Sequence, residues 1–259
     1  MSTANPDPDA IQRLSLFLPG AFAGMADELR AAYRAVDPDA ELAFHDFIPS
    51  GLLARAILDG APADVYVSAN IRYMEDLRRA GLIRTARILA GNRLCIIVRP
   101  DRAAAITGLN DLCRPSVRVV TPPAATDPCG QYVEELFARA GIIESMASKA
   151  ARGELIHSRG SGDLPSFLRD GRSDAGIFYA SEAQALGGMV VTVNLPVGLD
   201  LRDRIAFTIG TLERGCAEHS LAERFVEFAV GTAGQRLLQR HGFLYAAEVD
   251  LSLPRGIVR

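Results

Sequence analysis

Short apolar runs alternate with segments of helical hydrophobic periodicity along most of the chain. Runs of apolar and β-branched residues predict nine strands: Leu14–Leu18, Glu41–Phe47, Asp64–Ser68, Arg93–Val98, Val117–Thr121, Leu155–His157, Ala175–Tyr179, Val190–Val193 and Arg204–Ile209. Apolar residues that recur every three or four positions predict seven helices: Phe22–Tyr33, Leu52–Ile57, Tyr73–Ala80, Gln131–Ala140, Leu164–Leu168, Leu221–Val230 and Ala233–His241.

The order of these elements is a βαβ rhythm that runs twice and is followed by a helical C-terminal part. This order predicts an α/β chain with mostly parallel sheets flanked by helices, because parallel strands need a crossover between them. Such sheets bind ligands at the carboxyl ends of their strands, in the loops that open the helices. We therefore look for function in those loops.

Composition narrows the classes of protein that the chain can belong to. It has 259 residues, of which 49% are hydrophobic and 23% charged, with a formal net charge of −3. This apolar content excludes a mainly disordered chain. No run of basic residues is present to neutralise phosphates, so nucleic acid is not an expected partner. No apolar stretch reaches the roughly 18 residues that a membrane span needs.

The four cysteines and four histidines are scattered without metal-ligand spacing. No structural zinc site, disulfide framework or bound cofactor is therefore expected. Cys129 precedes a predicted helix, and a helix N-terminus favours the thiolate form of a cysteine. Paired with His157 as a base, it could act as a nucleophile. The alternative is that Cys129 is simply a small residue at a helix start.

Four loops between a predicted strand and a predicted helix consist of small residues. Glycine and alanine let backbone N–H groups approach a ligand, and the unpaired N–H groups of a first helical turn favour an anion. The loops predict a site for a small dianion held by amides and hydroxyls; they are Pro19-Gly20-Ala21, Pro49-Ser50-Gly51, Asp127-Pro128-Cys129-Gly130 and Ser158-Arg159-Gly160-Ser161-Gly162.

Several segments resemble the periplasmic molybdate-binding proteins of ABC importers. The most specific is the block Gly60-Ala-Pro-Ala-Asp-Val-Tyr-Val-Ser-Ala69. Weaker matches follow along the chain, among them Pro128-Cys-Gly-Gln-Tyr132, Gly176-Ile-Phe-Tyr-Ala-Ser181 and His241-Gly-Phe243. The resemblance extends over about residues 14–245, which is nearly the whole chain.

The resemblance implies a two-lobed class II periplasmic-binding-protein fold whose cleft closes on an anion. Residues 12–91 and 204–259 would form lobe 1, and residues 92–203 would form lobe 2. The strands that begin near Arg93 and at Arg204–Ile209 would be the two hinge crossings. The implied partners are a small oxyanion, molybdate or tungstate, and an ABC permease, with the binding protein a monomer and not an enzyme.

The resemblance also implies ligand contacts at particular positions. The family's second-loop serine falls on Ser50, its closing tyrosine on Tyr179 and its lobe 2 helix start on Cys129 and Gly130. A further backbone donor falls near Ser161. The chain departs from the family pattern at several positions: Ala21 after Gly20 replaces a hydroxyl residue, Pro49 and Gly51 replace hydroxyl neighbours of Ser50, and Arg159 is an added cation.

These departures keep alternative functions open. Arg159 could select sulfate, phosphate or a small carboxylate, since a guanidinium binds such groups in a fork. A cytoplasmic sensor or an enzyme on the same fold is a further alternative. The family implies a periplasmic location. However, the apolar run Leu14–Ala23 follows Asp7 and Asp9 instead of a basic leader, so a cytoplasmic location also stays open.

Overall fold

The computed structural model of the chain describes residues 12–160, 163–215, 219–249 and 257–258. Its strands are β1 Gln12–Phe17, β2 Ala40–Phe44, β3 Val65–Ser68, β4 Ile83–Gly91, β5 Leu94–Val98, β6 Val119–Thr121, β7 Leu155–His157, β8 Ala175–Tyr179, β9 Val191–Asn194 and β10 Ala206–Leu212. Its α-helices are α1 Ala26–Arg34, α2 Ser50–Leu58, α3 Ile71–Arg79, α4 Pro128–Arg139, α5 Ile143–Ala151, α6 Leu164–Arg169, α7 Ala180–Leu186, α8 His219–Val230 and α9 Thr232–Arg240.

The strands form two five-stranded sheets flanked by helices. The first sheet has the order β2-β1-β3-β10-β4, and the second has the order β7-β6-β8-β5-β9. The first sheet therefore takes strands from two separate parts of the chain, and the second takes strands from the part between them. This is the expected two-lobed α/β fold. The precise lobe limits, 12–91, 92–203 and 204–259, stay a prediction.

Four of the five strands in each sheet point in the same direction, so the sheets are mostly parallel as expected, and one strand in each sheet runs the opposite way. In the first sheet β1 pairs in parallel with β2 and β3, whereas β10 runs antiparallel to β3 and β4. In the second sheet β6 is parallel to β7 and β8, whereas β5 is antiparallel to β8 and β9. The antiparallel strands β5 and β10 directly follow a passage between lobes, so they enter their sheets from the opposite direction.

The two passages between the lobes lie side by side. The first is the short link from β4 to β5, and the second connects β9 to β10. Asn92 in the first donates its backbone N–H to the carbonyl of Ile205 in the second, at 3.3 Å. Two residues later, the backbone N–H of Leu94 donates to the carbonyl of Asp200 at 2.7 Å. Paired backbone strands of this kind form a hinge that bends without separating.

One buried hydrophobic cluster extends through both lobes. At its centre the Phe207 ring on β10 lies 5.5 Å from the Tyr179 ring on β8, 6.0 Å from Phe22 and 5.3 Å from Phe243. Tyr179 belongs to the second sheet, and the three phenylalanines belong to the first lobe. The aromatic cluster of Phe22, Phe207, Phe243 and Tyr179 therefore holds the lobes together beside the hinge.

Most predicted elements are present, with ends shifted by a few residues. Strand β4 and helices α5 and α7 were not predicted. The segment Ile83–Gly91 contains two arginines that break its apolar run, and α7 is a short stretch rich in alanine. The first predicted helix is interrupted, because Gly20–Met25 forms a 3-10 helix before α1 begins. Among the described residues, no helix is long and apolar enough to cross a membrane.

We expect Phe207→Ala to lower the free energy of unfolding by about 3–5 kcal/mol, because it empties the centre of the aromatic cluster. Phe207→Leu should cost less than about 1.5 kcal/mol, since it retains most of the volume. Val197→Ala is the control, because that side chain is 79% exposed. Urea unfolding measures all three. Equal losses for the alanine and leucine variants would contradict the packing argument.

Candidate functional site

Three of the four small-residue loops begin helices at the facing edges of the two sheets. The backbone N–H groups of Ala21, Ser50, Gly51 and Gly130 donate to no acceptor among the described residues. Unpaired amides at a helix start carry a partial positive charge and attract anions. Both lobes contribute such amides: the first three belong to lobe 1 and Gly130 to lobe 2.

The Ser50 loop is built into the first lobe by buried hydrogen bonds. Ser50 Oγ accepts the backbone N–H of Ala69 at 2.9 Å, and Tyr66 Oη donates to the Ser50 carbonyl at 2.8 Å. Ser50 and Tyr66 are fully buried. Because Ser50 Oγ is used only as an acceptor among the described residues, its proton is available to a ligand. The segment Gly60–Ala69 of the resemblance thus holds the Ser50 loop in place.

In the second lobe, Asp127 caps the start of α4. Asp127 Oδ1 accepts the backbone N–H of Cys129 at 2.8 Å. The next residue must be glycine for the loop to close here: a Cβ at Gly130 would lie 2.6 Å from the backbone of Pro122, Pro123 and Ala124. The amide of Cys129 is therefore occupied, and the amide of Gly130 is open.

Tyr179 ends β8 and directs its hydroxyl into the protein interior. The side chain is 2% exposed, and its Oη has no hydrogen-bond partner among the described residues. Burial raises the pKa of the hydroxyl well above its usual range, so it keeps its proton at neutral pH. A buried donor without an acceptor is rare in native proteins and points to a bound group. Ser158 Oγ, in the fourth loop, is buried and unpartnered in the same way.

The loops of the two lobes touch one another. On α4, Gln131 Nε2 donates to Tyr73 Oη at 2.9 Å, and its Oε1 accepts from Asn70 Nδ2 at 3.1 Å. Both partners stand at the start of α3 in the first lobe. A Cβ at Gly160 would lie 3.9 Å from Pro49, beside Ser50. The structure therefore describes lobes in contact, with the loops brought together.

The first small-residue loop, Pro19-Gly20-Ala21, leads directly into the aromatic cluster. Gly20 and Ala21 open the 3-10 helix Gly20–Met25 and are half-buried. Phe22, the next residue, belongs to the aromatic cluster with Tyr179. A Cβ at Gly24 would lie 2.8 Å from the Ala185 Cβ on α7, which begins directly after Tyr179. The 3-10 helix therefore contacts lobe 2 at Gly24, and Ala21 offers no hydroxyl.

Arg159 does not join the other predicted residues. Its side chain is 96% exposed and lies 3.9 Å from Asp163, and its backbone N–H donates to the same carboxylate at 3.1 Å. In this structure Arg159 lies in solvent beside Asp163, so a contact between Arg159 and the ligand stays a prediction. Among the described residues, the Asp163 side chain forms no capping hydrogen bond at the start of α6. Ser161 lies outside the described residues.

The nucleophile hypothesis for Cys129 finds no support in the geometry. Burial raises the pKa of the Cys129 thiol well above its usual range, so the reactive thiolate is disfavoured. His157 is exposed, and its Nδ1 lies 3.2 Å from Thr121 Oγ1, not beside the thiol. No group of three or more His, Cys, Asp or Glu side chains in the described part of the chain could hold a metal ion.

Sequence reasoning missed the residues that join the lobes, Asn70, Tyr73 and Gln131, and the buried Ser158 hydroxyl. Gln131 directly follows the predicted ligand residue Gly130, and Tyr73 lies within a segment that the resemblance covers. The sequence therefore drew attention to the segments that contain Gln131 and Tyr73. It could not show that these side chains are hydrogen-bonded to each other, because that contact depends on how the two lobes meet.

Comparison with known proteins adds a family and close fold relatives. The family described as "Bacterial extracellular solute-binding protein" matches residues 14–244. The molybdate-binding protein ModA of Mycobacterium tuberculosis is 27% identical over 243 residues, covering 93% of this chain and 88% of that protein. ModA of Haemophilus influenzae is 26% identical over 238 residues, covering 86% of this chain and 87% of that protein.

Solved structures show the same fold. The periplasmic molybdate-binding protein of Azotobacter vinelandii superposes with a TM-score of 0.76 at 16% identity, covering 89% of this chain and 98% of that chain. The sulfate-binding protein SubI of Mycobacterium tuberculosis gives a TM-score of 0.73 at 18% identity, covering 96% of this chain and 93% of that chain. Since the family match extends over residues 14–244, the chain belongs to the bacterial extracellular solute-binding protein family.

Proposed function

We propose that this protein captures a tetrahedral oxyanion, molybdate or tungstate, between its two lobes and delivers it to an ABC permease. It acts as a monomer on the periplasmic side of the membrane and is a binding protein, not an enzyme. The observation that carries the proposal is the buried, unpartnered hydroxyl of Tyr179, and the open helix-start amides in both lobes support it. The molybdate-binding names of its curated relatives support the choice of anion.

In this proposal the anion is held without a cation. Donors from lobe 1 are the amides of Gly20, Ala21, Ser50 and Gly51 and the hydroxyl of Ser50, and donors from lobe 2 are the amide of Gly130 and the hydroxyl of Tyr179. About six charge-assisted hydrogen bonds at roughly 1.5–3 kcal/mol each provide about 10–20 kcal/mol before association and desolvation costs. After these costs are subtracted, we expect a binding affinity in the micromolar to nanomolar range.

The mechanism is hinge closure. The open form lets the anion reach one set of amides, and contacts from the second lobe favour the closed form. The paired backbone passages near Asn92 and Ile205 provide the hinge. The hydrogen bonds of Gln131 to Asn70 and Tyr73 close the cleft from the side. The anion stabilises the closed form because it gains donors from both lobes only there.

We expect molybdate and tungstate to raise the melting temperature at micromolar concentration, and the shift should grow with ligand excess. Tyr179→Phe removes the unpartnered hydroxyl and keeps the ring, so it should weaken anion binding by about 10–100-fold. Tyr33→Phe is the matched control. Tyr33 is also a buried tyrosine, but its hydroxyl donates to Asp37 within lobe 1. Calorimetry measures the affinities.

A panel with sulfate, phosphate and small carboxylates decides the anion class. A preference for one of these over molybdate and tungstate would replace the choice of anion but keep the binding function. If none of these anions shifts the melting temperature, the proposed function is wrong.

Gln131→Ala should weaken anion binding by about 3–30-fold, because it removes two hydrogen bonds between the lobes, each contributing about 0.5–1.5 kcal/mol. The dissociation rate should rise, since the closed form opens more readily. Glu134→Ala, at an exposed position on the same helix, is the control. Stopped-flow dissociation measures the effect, and identical rates for the two variants would argue against a role of Gln131 in closure.

A further inference from the structure

A negative charge already occupies the helix start at which lobe 2 would meet the anion. Asp127 Oδ1 accepts the Cys129 amide at 2.8 Å, and the side chain is 9% exposed. No Arg, Lys or His among the described residues forms an ion pair with Asp127. Its second oxygen, Oδ2, has no partner in the described part of the chain. The carboxylate therefore competes with any anion for the positive end of α4.

A second observation connects Asp127 with the ligand cleft. Asp127 occupies the Cys129 amide, and the next amide of the same helix start, that of Gly130, is open and is a lobe 2 donor of the proposed site. The charge on Asp127 also contributes to the raised pKa of the Tyr179 hydroxyl, the other lobe 2 donor, which has no partner among the described residues. An oxyanion that accepts the Gly130 amide would therefore lie close to the Asp127 carboxylate. In a buried site such like charges repel each other strongly, since little water screens them.

We propose that the protein binds a dianionic oxyanion together with one proton, which Asp127 takes up. This inference rests on the proposed function and names its ligand more closely, as a dianion plus a proton. When Asp127 is protonated, the repulsion is removed. The neutral carboxyl group can then donate its own O–H to the oxyanion and release the Cys129 amide for a second bond. Asp127 thereby makes anion capture depend on pH.

The titratable groups near Asp127 are thiols, tyrosine hydroxyls and one further carboxylate, that of Glu182. These groups lie on α4, α7, β5 and β8, close enough for their charges to affect one another. They are Cys129, Tyr132, Glu182, Cys95 and Tyr179. Burial raises the pKa of both thiols and both tyrosine hydroxyls, so these stay neutral. Burial also raises the pKa of Asp127, to about 6. Glu182 accepts the Tyr179 amide at 3.3 Å and requires a control.

The direction of the pH dependence follows from linkage. A bound dianion raises the pKa of Asp127 above its value in the free protein, so binding takes up a proton. Affinity is then highest below about pH 6 and falls as pH rises, by up to about tenfold per pH unit. Sulfate takes up no proton in this range, so its affinity should fall with pH in the same way as that of molybdate.

The test compares the full-length protein with Asp127→Asn by calorimetry, using molybdate and sulfate between about pH 5.5 and pH 8. Asparagine caps a helix as well as aspartate does, so the fold should be retained; circular dichroism checks this. We expect the parent affinity to fall with pH and Asp127→Asn to bind equally at all pH values, more tightly than the parent near pH 8. Titrations in buffers of different ionisation enthalpy should show an uptake of about one proton by the parent and none by the variant.

Glu182→Gln is the matched control, and it should keep the pH slope of the parent. A slope that persists in Asp127→Asn, or that disappears in Glu182→Gln instead, would overturn the assignment to Asp127 and leave the proposed function standing. A parent protein that binds with no pH dependence would likewise overturn the assignment to Asp127 and leave the proposed function standing. If neither protein binds any oxyanion at any pH, the proposed function itself fails.

Discussion

The proposed function depends on unpaired backbone N–H groups at helix starts in both lobes. An amide at a helix start cannot bond within its own helix, and burial makes an unmet donor costly. The open amides of Ser50, Gly51 and Gly130 and the proton of the Tyr179 hydroxyl share this property. In the proposed function, a small anion satisfies all of them at once. Each lobe alone supplies only part of the set, so the proposal couples binding to closure.

The hinge and the aromatic cluster make this coupling mechanically possible. The two passages between the lobes are bonded to each other through Asn92 and Ile205, and the proposed closure would bend the chain at both of them together. Phe207 packs against Tyr179 on one side and the first lobe on the other. The residue that is proposed to bind the ligand therefore belongs to the same packed group as the hinge, and movement of one lobe repositions its hydroxyl.

The strand runs and the helical periodicity are local signals, and they were sufficient to predict an α/β chain, whereas the two-lobed fold came from the resemblance. The sequence did not reveal that β5 and β10 run antiparallel to their neighbours, since strand direction depends on the path between lobes. For the site, Ser50, Gly130 and Tyr179 came from the resemblance. The outward turn of Arg159 was not predictable, because it follows from a bond to Asp163. The burial of Asp127 became visible only in the folded chain.

The most direct test of the central claim is a crystal structure of the protein with tungstate, in which the tungsten position is located by anomalous scattering. The account predicts one tungsten site between the lobes, with tungstate oxygens about 2.7–3.2 Å from Tyr179 Oη, Ser50 Oγ and the Gly130 amide. Tungstate bound on an outer surface, such as beside the exposed guanidinium of Arg159, with the Tyr179 hydroxyl still unpartnered, would contradict it.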